Sequence, residues 1–446
     1  MMSIFQHTIS EIHKNEIIFF GRQHNGQSIA VRVQAYQPHA ILRASIPFSD
    51  FAAGIQSAVH ENYTYCFPTE EVTRLVVVEE LKGRSITNAD VEETFFKVTA
   101  KDISAYNCLL NVLRGKYKFN YKKNSDGSYV IRSKSLPFYV QRYDQVSLQT
   151  QYCVVNNIDT CTTLAYVGHE PSTKITTCDN EVVGLVKNTT HVPVPLKVLT
   201  YDIETLYDAN EKDTYTQPII TVGALLNQDK YLWILNPVGD NFVTQLVEAS
   251  GKFNAAGTVV YNFNDERKML RHFVEFVVRE DPDILQGHNV DFFDHPYVAT
   301  RYKMLLQKYP CWGRVKGKEA TVSKSFKSNT PMASVIGRVS VDSCTILKRE
   351  VKSNSYKLDD LGKEFLCEPK IHLPYSEIQN KYQTTEGRAF LAAYCLKDAW
   401  LSMELLKHFD ILHLYLSLAN LTSLDLKALC QGGQDHSRGK PRAAQG

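Results

Sequence analysis

The 446-residue sequence predicts two architectures in succession. A mostly β, α+β region runs to about residue 195, and an α/β region with a mixed sheet flanked by helices follows it. Three observations lead there. Short alternating runs dominate the first part, with only two helical stretches among them. From Leu196 on, apolar strands give way to segments of helical period. Hydrophobic residues at 43% and charged residues at 22% are usual for a soluble globular chain, and the length allows two or three domains.

Composition also excludes some classes. The formal net charge is +2, which decides nothing about nucleic acid, because a local basic groove matters more than the total. The ten cysteines are scattered without a C-x-x-C pair, so their spacing offers neither a zinc site nor a disulfide framework. A reducing compartment is expected. No run approaches the roughly 18 apolar residues of a membrane span, and no signal-peptide core opens the chain. The expectation is a soluble intracellular protein without a membrane partner.

In the first part, Ile29, Val31, Val33 and Ala35 alternate with polar neighbours after an Asn25-Gly26 turn, which predicts a hairpin. Residues 47–60 and 103–114 read as helices; residues 75–78 and 94–99 read as strands. Residues 114–123, RGKYKFNYKK, interleave five basic residues with Tyr117, Phe119 and Tyr121. On a strand those rings share a face and could stack on bases. An edge strand guarded by lysines reads the same. Pro193 and Pro195 mark an extended linker.

The second part opens on LTYDIETL. As a strand it turns Leu196, Val198, Thr200, Asp202 and Glu204 to one face. Asp202 and Glu204 then have Cα atoms about 6.6 Å apart, and their oxygens can converge on divalent cations. A strand end with acids in solvent fits an isolated D-x-E equally. Residues 219–226 and 231–235 read as further strands. Residues 265–278 read as an amphipathic helix. In DPDILQGHNVDFFDHPYV, Ile284 and Leu285 make a short strand, Gly287 allows a tight turn, and Asn289 can bond backbone or substrate. Asp294 and Pro296 then stand at a helix start, where an acid favours the helix dipole in any case. Residues 311–342 form a polar insertion with Arg314, Lys316, Lys318, Lys324 and Lys327. It reads as a hairpin over a nucleic-acid groove or as a solvated surface hairpin. On a helix over residues 388–409, Tyr394 and Asp398 share a face at i and i+4.

DIET at Asp202, GHNVDFFD ending at Asp294 and YCLKDA from Tyr394 resemble, in this order, the three exonuclease motifs of family B (polymerase-alpha-like) DNA polymerases. The connectors DPDILQGHN, GRVSVD and SYKLDDLGKEFL resemble that family too, as do SIAVRVQAYQPHAIL and SLPFYVQRYDQ upstream. The resemblance runs from about Asn25 to Gln434. It implies a family N-terminal domain over residues 1–191 and a ribonuclease-H-like 3′→5′ exonuclease domain over residues 192–410. Residues 411–446 would hold the run-in to a palm domain and a disordered tail.

Residue by residue, Asp202, Glu204, Asp294 and Asp398 match the family's metal-binding carboxylates, for two divalent ions, Mg²⁺ or Mn²⁺. Tyr394 matches the tyrosine that helps position the attacking water. Asn289 and Phe293 match substrate-side residues. The implied substrate is a DNA primer 3′ end, single-stranded or mispaired, in proofreading during replication. A separate polymerase half or a processivity factor is a further implied partner, and the nucleus the implied compartment. Polymerising motifs of the SLYPS and YGDTDS kinds do not occur in this sequence. Polymerisation by this chain alone is therefore not expected, and a truncated product, a split subunit or an incomplete gene model is. A large DNA virus, or viral sequence in a host genome, is the expected source. Two other readings compete: a non-catalytic fragment that binds DNA or a polymerase partner, and a fragment with no function.

Overall fold

A computed structural model describes residues 2–13, 16–33, 36–67, 74–84, 92–114, 120–123, 129–132, 141–142, 146–167, 185–187, 194–206, 215–238, 252–324, 331–371 and 373–431. The N-terminal part holds a five-stranded sheet and a four-stranded sheet. In the first, Glu16–Arg22 and Ser28–Val33 pair antiparallel across the Asn25-Gly26 turn, as the alternation predicts. In the second, Val76–Arg84 pairs with Glu92–Ala100. Helices Phe48–Cys66 and Ile103–Leu113 bury Phe51, Ile55, Leu109 and Val112 in one core with Phe96 and Val98. The first helix runs beyond the expected residue 60, because Asn62 and Tyr63 also face that core. Tyr117, Phe119 and the side chain of Tyr121 lie outside the described residues, as do Lys327, most of SLPFYVQRYDQ and the tail.

The second part is a six-stranded mixed sheet. Its strands in chain order are β1 (Val198–Thr205), β2 (Ile219–Leu226), β3 (Asp229–Leu235), β4 (Val259–Phe263), β5 (Ile284–Gly287) and β6 (Val339–Asp342). Across the sheet they stand in the order β4-β3-β2-β1-β5-β6. β2 is antiparallel to both β1 and β3, while β5 runs parallel to both β1 and β6. Every residue of β2 is buried, as expected of a strand covered on both faces. Helices α1 (Glu266–Glu280) and α2 (Asp294–Leu306) share one core with Tyr201, Ile203, Trp233, Phe273 and Tyr297. Helix α3 (Ser343–Glu350) follows β6, and α4 (Thr385–His408) packs on β1 and β2. Among the described residues no helix is long and apolar enough to cross a membrane.

The basic insertion holds an antiparallel hairpin, Val322–Lys324 with Pro331–Ala333, as expected, but its first basic residue does not lie in solvent. Its end forms β6, and its Arg314 is 2% exposed. Arg314 pairs with Asp281 at 2.9 Å and with Asp283 at 2.8 Å. Arg338 reaches Asp281 at 2.6 Å, and Arg22 of the N-terminal hairpin reaches Asp283 at 3.0 Å. The guanidinium groups hold both aspartates below the usual carboxylate range despite burial. Charges leave water only when paired, so Asp281 and Asp283 draw Arg314 inward from what the sequence offers as a solvated run. The same network ties the N-terminal sheet to the start of β5. Removing one partner strands buried charge, so Asp283→Ala should lower stability by about 3–5 kcal/mol, read as a shift in the urea midpoint.

Candidate active site

β1 places the acid pair. Alternation turns Tyr201 and Ile203 into the α1–α2 core and leaves Asp202 and Glu204 toward α4. Asp202 stands opposite Gly223 of β2. There α4 comes very close: a Cβ on Gly223 would lie 2.8 Å from the backbone nitrogen of Leu396. That approach sets Tyr394 and Asp398 over the strand. Cys395 fastens the contact, since its Sγ accepts from the Gly223 N–H at 3.2 Å and donates to the Asp202 carbonyl at 3.3 Å.

Oxygens of Asp202, Glu204 and Asp398 lie within 4.8 Å of one another, the one such group of possible metal ligands among the described residues. Asp294 lies outside that group. It opens α2, and its Oδ1 accepts the Ile203 N–H at 3.1 Å. The pairing of β5 with β1 stops at Thr200, so the carboxylate takes a strand N–H that lacks a ladder partner on that edge. Gly287 ends β5 for reasons of space rather than of turning. A Cβ there would meet the Tyr201 carbonyl at 2.8 Å.

A cleft of about 870 Å³ opens at the acids. It is lined by Asp202, Tyr394 and Asp398, by Asn289 and His288, and by Lys348, Lys357 and Lys370. Asn289 sits at φ 63°, its N–H donating to Asp342 at 3.1 Å. Phe293 does not line this cleft; it packs on Tyr297 with ring centres 5.4 Å apart. Sequence reasoning missed Lys370. Its ammonium pairs with Asp398 Oδ2 and lies 4.7 Å from the centre of the Tyr394 ring. It lies in an irregular segment just after Pro369, with no periodic pattern to single it out.

The electrostatics describe a site short of positive charge. Burial, then the Asp294 and Asp398 carboxylates, push Asp202 well above the usual carboxylate range. Burial and Asp398 push Glu204 up to about 8. Burial pushes Asp294 up to about 8 against its backbone hydrogen bonds, and Asp398 to about 6 against Lys370. Asp398 Oδ1 is buried without a hydrogen-bond partner. Converging oxygens, mutual repulsion and an orphaned carboxylate oxygen together fit hard divalent cations, which take oxygen ligands.

Residues 140–361 match the family model described as DNA polymerase family B, exonuclease domain. The chain is 32% identical over 255 residues to the DNA polymerase delta catalytic subunit of Plasmodium falciparum, covering 54% of this chain and 22% of that protein. It is 31% identical over 257 residues to the corresponding subunit of Schizosaccharomyces pombe, with the same 54% and 22%. The structure of the family B DNA polymerase from the archaeon Pyrobaculum calidifontis superposes with a TM-score of 0.64 at 19% identity, over 96% of this chain and 48% of that one. That likeness is one of fold. The chain thus spans less than a quarter of the length of these curated relatives.

Two outcomes follow from the site. Gly223→Ala forces α4 off the sheet against a backbone atom that cannot yield, and should cost about 1–3 kcal/mol in a denaturant titration. The raised carboxylates bind protons more tightly folded than unfolded. In chelator, stability should therefore fall as pH rises from the unfolded range of about 4 through the folded values near 8. Melting temperatures between pH 5 and 8 test this. Added Mg²⁺ should flatten the slope, and a flat profile in chelator would refute the charge shortage.

Proposed function

We propose that this chain, which carries the exonuclease domain of a family B DNA polymerase, shortens DNA strands from the 3′ end by metal-dependent hydrolysis, as in proofreading. The observation that carries the proposal is the convergence of Asp202, Glu204 and Asp398 beside an unpartnered buried carboxylate oxygen at the end of an open cleft. Asp202, Glu204, Asp294 and Asp398 would hold two divalent ions, Mg²⁺ or Mn²⁺. Bound there, the ions supply Lewis-acid stabilisation of charge on the attacking and leaving oxygens.

The chain's own groups do the rest. Water attacks the terminal phosphodiester phosphorus, the P–O3′ bond breaks, and a nucleoside 5′-monophosphate leaves a strand ending in a 3′-hydroxyl. No side chain serves as nucleophile. Tyr394, whose phenol stays protonated because burial and Asp398 raise it, orients the water by hydrogen bond. Lys370 holds Asp398 in place and faces the phosphate with positive charge. Asn289, in the lining of the cleft, contacts the strand, while Phe293 steadies Asn289 by donating its backbone N–H to the Asn289 carbonyl at 3.0 Å. The cleft admits unpaired nucleotides, so a mispaired end, cheaper to separate from its template, is cut preferentially.

The test uses a duplex whose 5′-labelled strand ends in a 3′ mismatch, incubated with the full chain and Mg²⁺. Stepwise shortening is expected. It should vanish in chelator and fall by about 10²-fold or more in Asp202→Ala/Glu204→Ala, the loss of several kcal/mol of charge stabilisation. A folded wild-type chain that binds the duplex in a salt-dependent way and leaves it intact would instead mark a binding module.

A further inference from the structure

Behind the acid cluster lies a buried polar chain that the proposed reaction does not use. The Tyr201 hydroxyl is 2.6 Å from His295 Nδ1. His295 Nε2 is 2.9 Å from Ser340 Oγ, and Ser340 Oγ donates to Asp291 Oδ1 at 2.5 Å. Tyr201 and Ser340 are 1% and 2% exposed, His295 not at all, and Asp291 8%.

The polarity of this chain follows from the donors available. Ser340 has one hydroxyl hydrogen, and Asp291 takes it. Ser340 Oγ therefore accepts from His295, which puts the ring hydrogen on Nε2. With the ring hydrogen on Nε2, Nδ1 is left as an acceptor, and the Tyr201 hydroxyl donates to it. Every bond in the chain then points the same way, and Ser340 Oγ both accepts and donates.

Its placement is what gives it a role. Tyr201 precedes Asp202 on β1, and His295 follows Asp294 on α2. Ser340 belongs to β6, and Asp291 to the loop between β5 and α2. The Asp291 N–H donates to Asp342, which also receives the Asn289 N–H. Apolar side chains in these positions would bury as much surface, yet dispersion contacts set no direction. A saturated hydrogen-bond chain in a dry interior does.

We infer that Tyr201, His295, Ser340 and Asp291 form a positioning relay that fixes β1 at Asp202 against α2 at Asp294, so that the carboxylates these two residues carry keep a fixed relative position for binding a divalent cation. This rests on the metal-dependent reading above. None of the relay residues touches the reacting atoms.

The test reads Mn²⁺ binding directly, from the paramagnetic resonance signal of the free ion, on the full chain. The variants are Tyr201→Phe, His295→Leu, His295→Gln, Asp202→Ala/Glu204→Ala and Val274→Ala. Val274→Ala opens a cavity in the same core without touching the relay. Tyr201→Phe and His295→Leu should raise the Mn²⁺ dissociation constant by about 3–10-fold, less than the 10–100-fold typical of partners that touch a ligand directly. His295→Gln offers one acceptor and one donor in the same sense, and should recover much of the loss. Val274→Ala should bind as wild type while melting lower.

Wild-type binding in Tyr201→Phe overturns the relay. So does an equal loss in Val274→Ala, which would mean general softening, or a Gln variant no better than Leu. Tyr201→Phe removes a single oxygen and keeps the test decisive even if His295→Leu does not fold. If wild type and the double acid variant bind Mn²⁺ alike, the metal reading itself fails and the relay falls with it.

Discussion

Like charges taken out of water repel one another strongly, and Asp202, Glu204 and Asp398 share one small volume with Asp294 beside it. The surrounding fold works against that repulsion. β1 carries two of the acids on a strand held from both edges. Helix α4 delivers Asp398 only because Gly223 lets its backbone touch the sheet. Asp294 is clamped by the Ile203 N–H where the neighbouring strand ends. Lys370 supplies one positive charge, and protons supply more wherever cations do not.

A second buried set of charges has the opposite character. Asp281 and Asp283 meet Arg22, Arg314 and Arg338, and each carboxylate is fully engaged. Their pKa values go down where those of the site acids go up, although both groups are desolvated. The difference is the sign of the neighbours. Lys197 also gives its N–H to Asp283 at 2.8 Å, one residue before β1 begins. The network thus anchors the N-terminal hairpin to the beginnings of β1 and β5, the strands that carry and flank the acids. Breaking it would loosen the frame on which the site is built.

A TM-score of 0.64 at 19% identity shows how little side-chain detail this architecture requires. In this chain the buried polar chain from Tyr201 to Asp291 and the thiol of Cys395 join the sheet to its helices. Side chains of quite different chemistry hold the same backbone geometry when each buried polar atom finds a partner.

Local pattern was enough to read β1, β2, α1 and α4 to within a few residues, because alternation and helical period depend only on neighbours along the chain. The same rule put Asp202 with Glu204, and Tyr394 with Asp398, on common faces. The resemblance of the motifs to a known family then joined the two pairs. Tertiary structure decided the rest. It buried Arg314, set Phe293 away from the cleft and brought Lys370 beside Asp398. It also made Gly287 a matter of space and linked Tyr201 to His295 across 94 residues. These outcomes turn on which groups lose water together and which charges then face each other. Residues far apart in sequence settle that only once the sheet has closed.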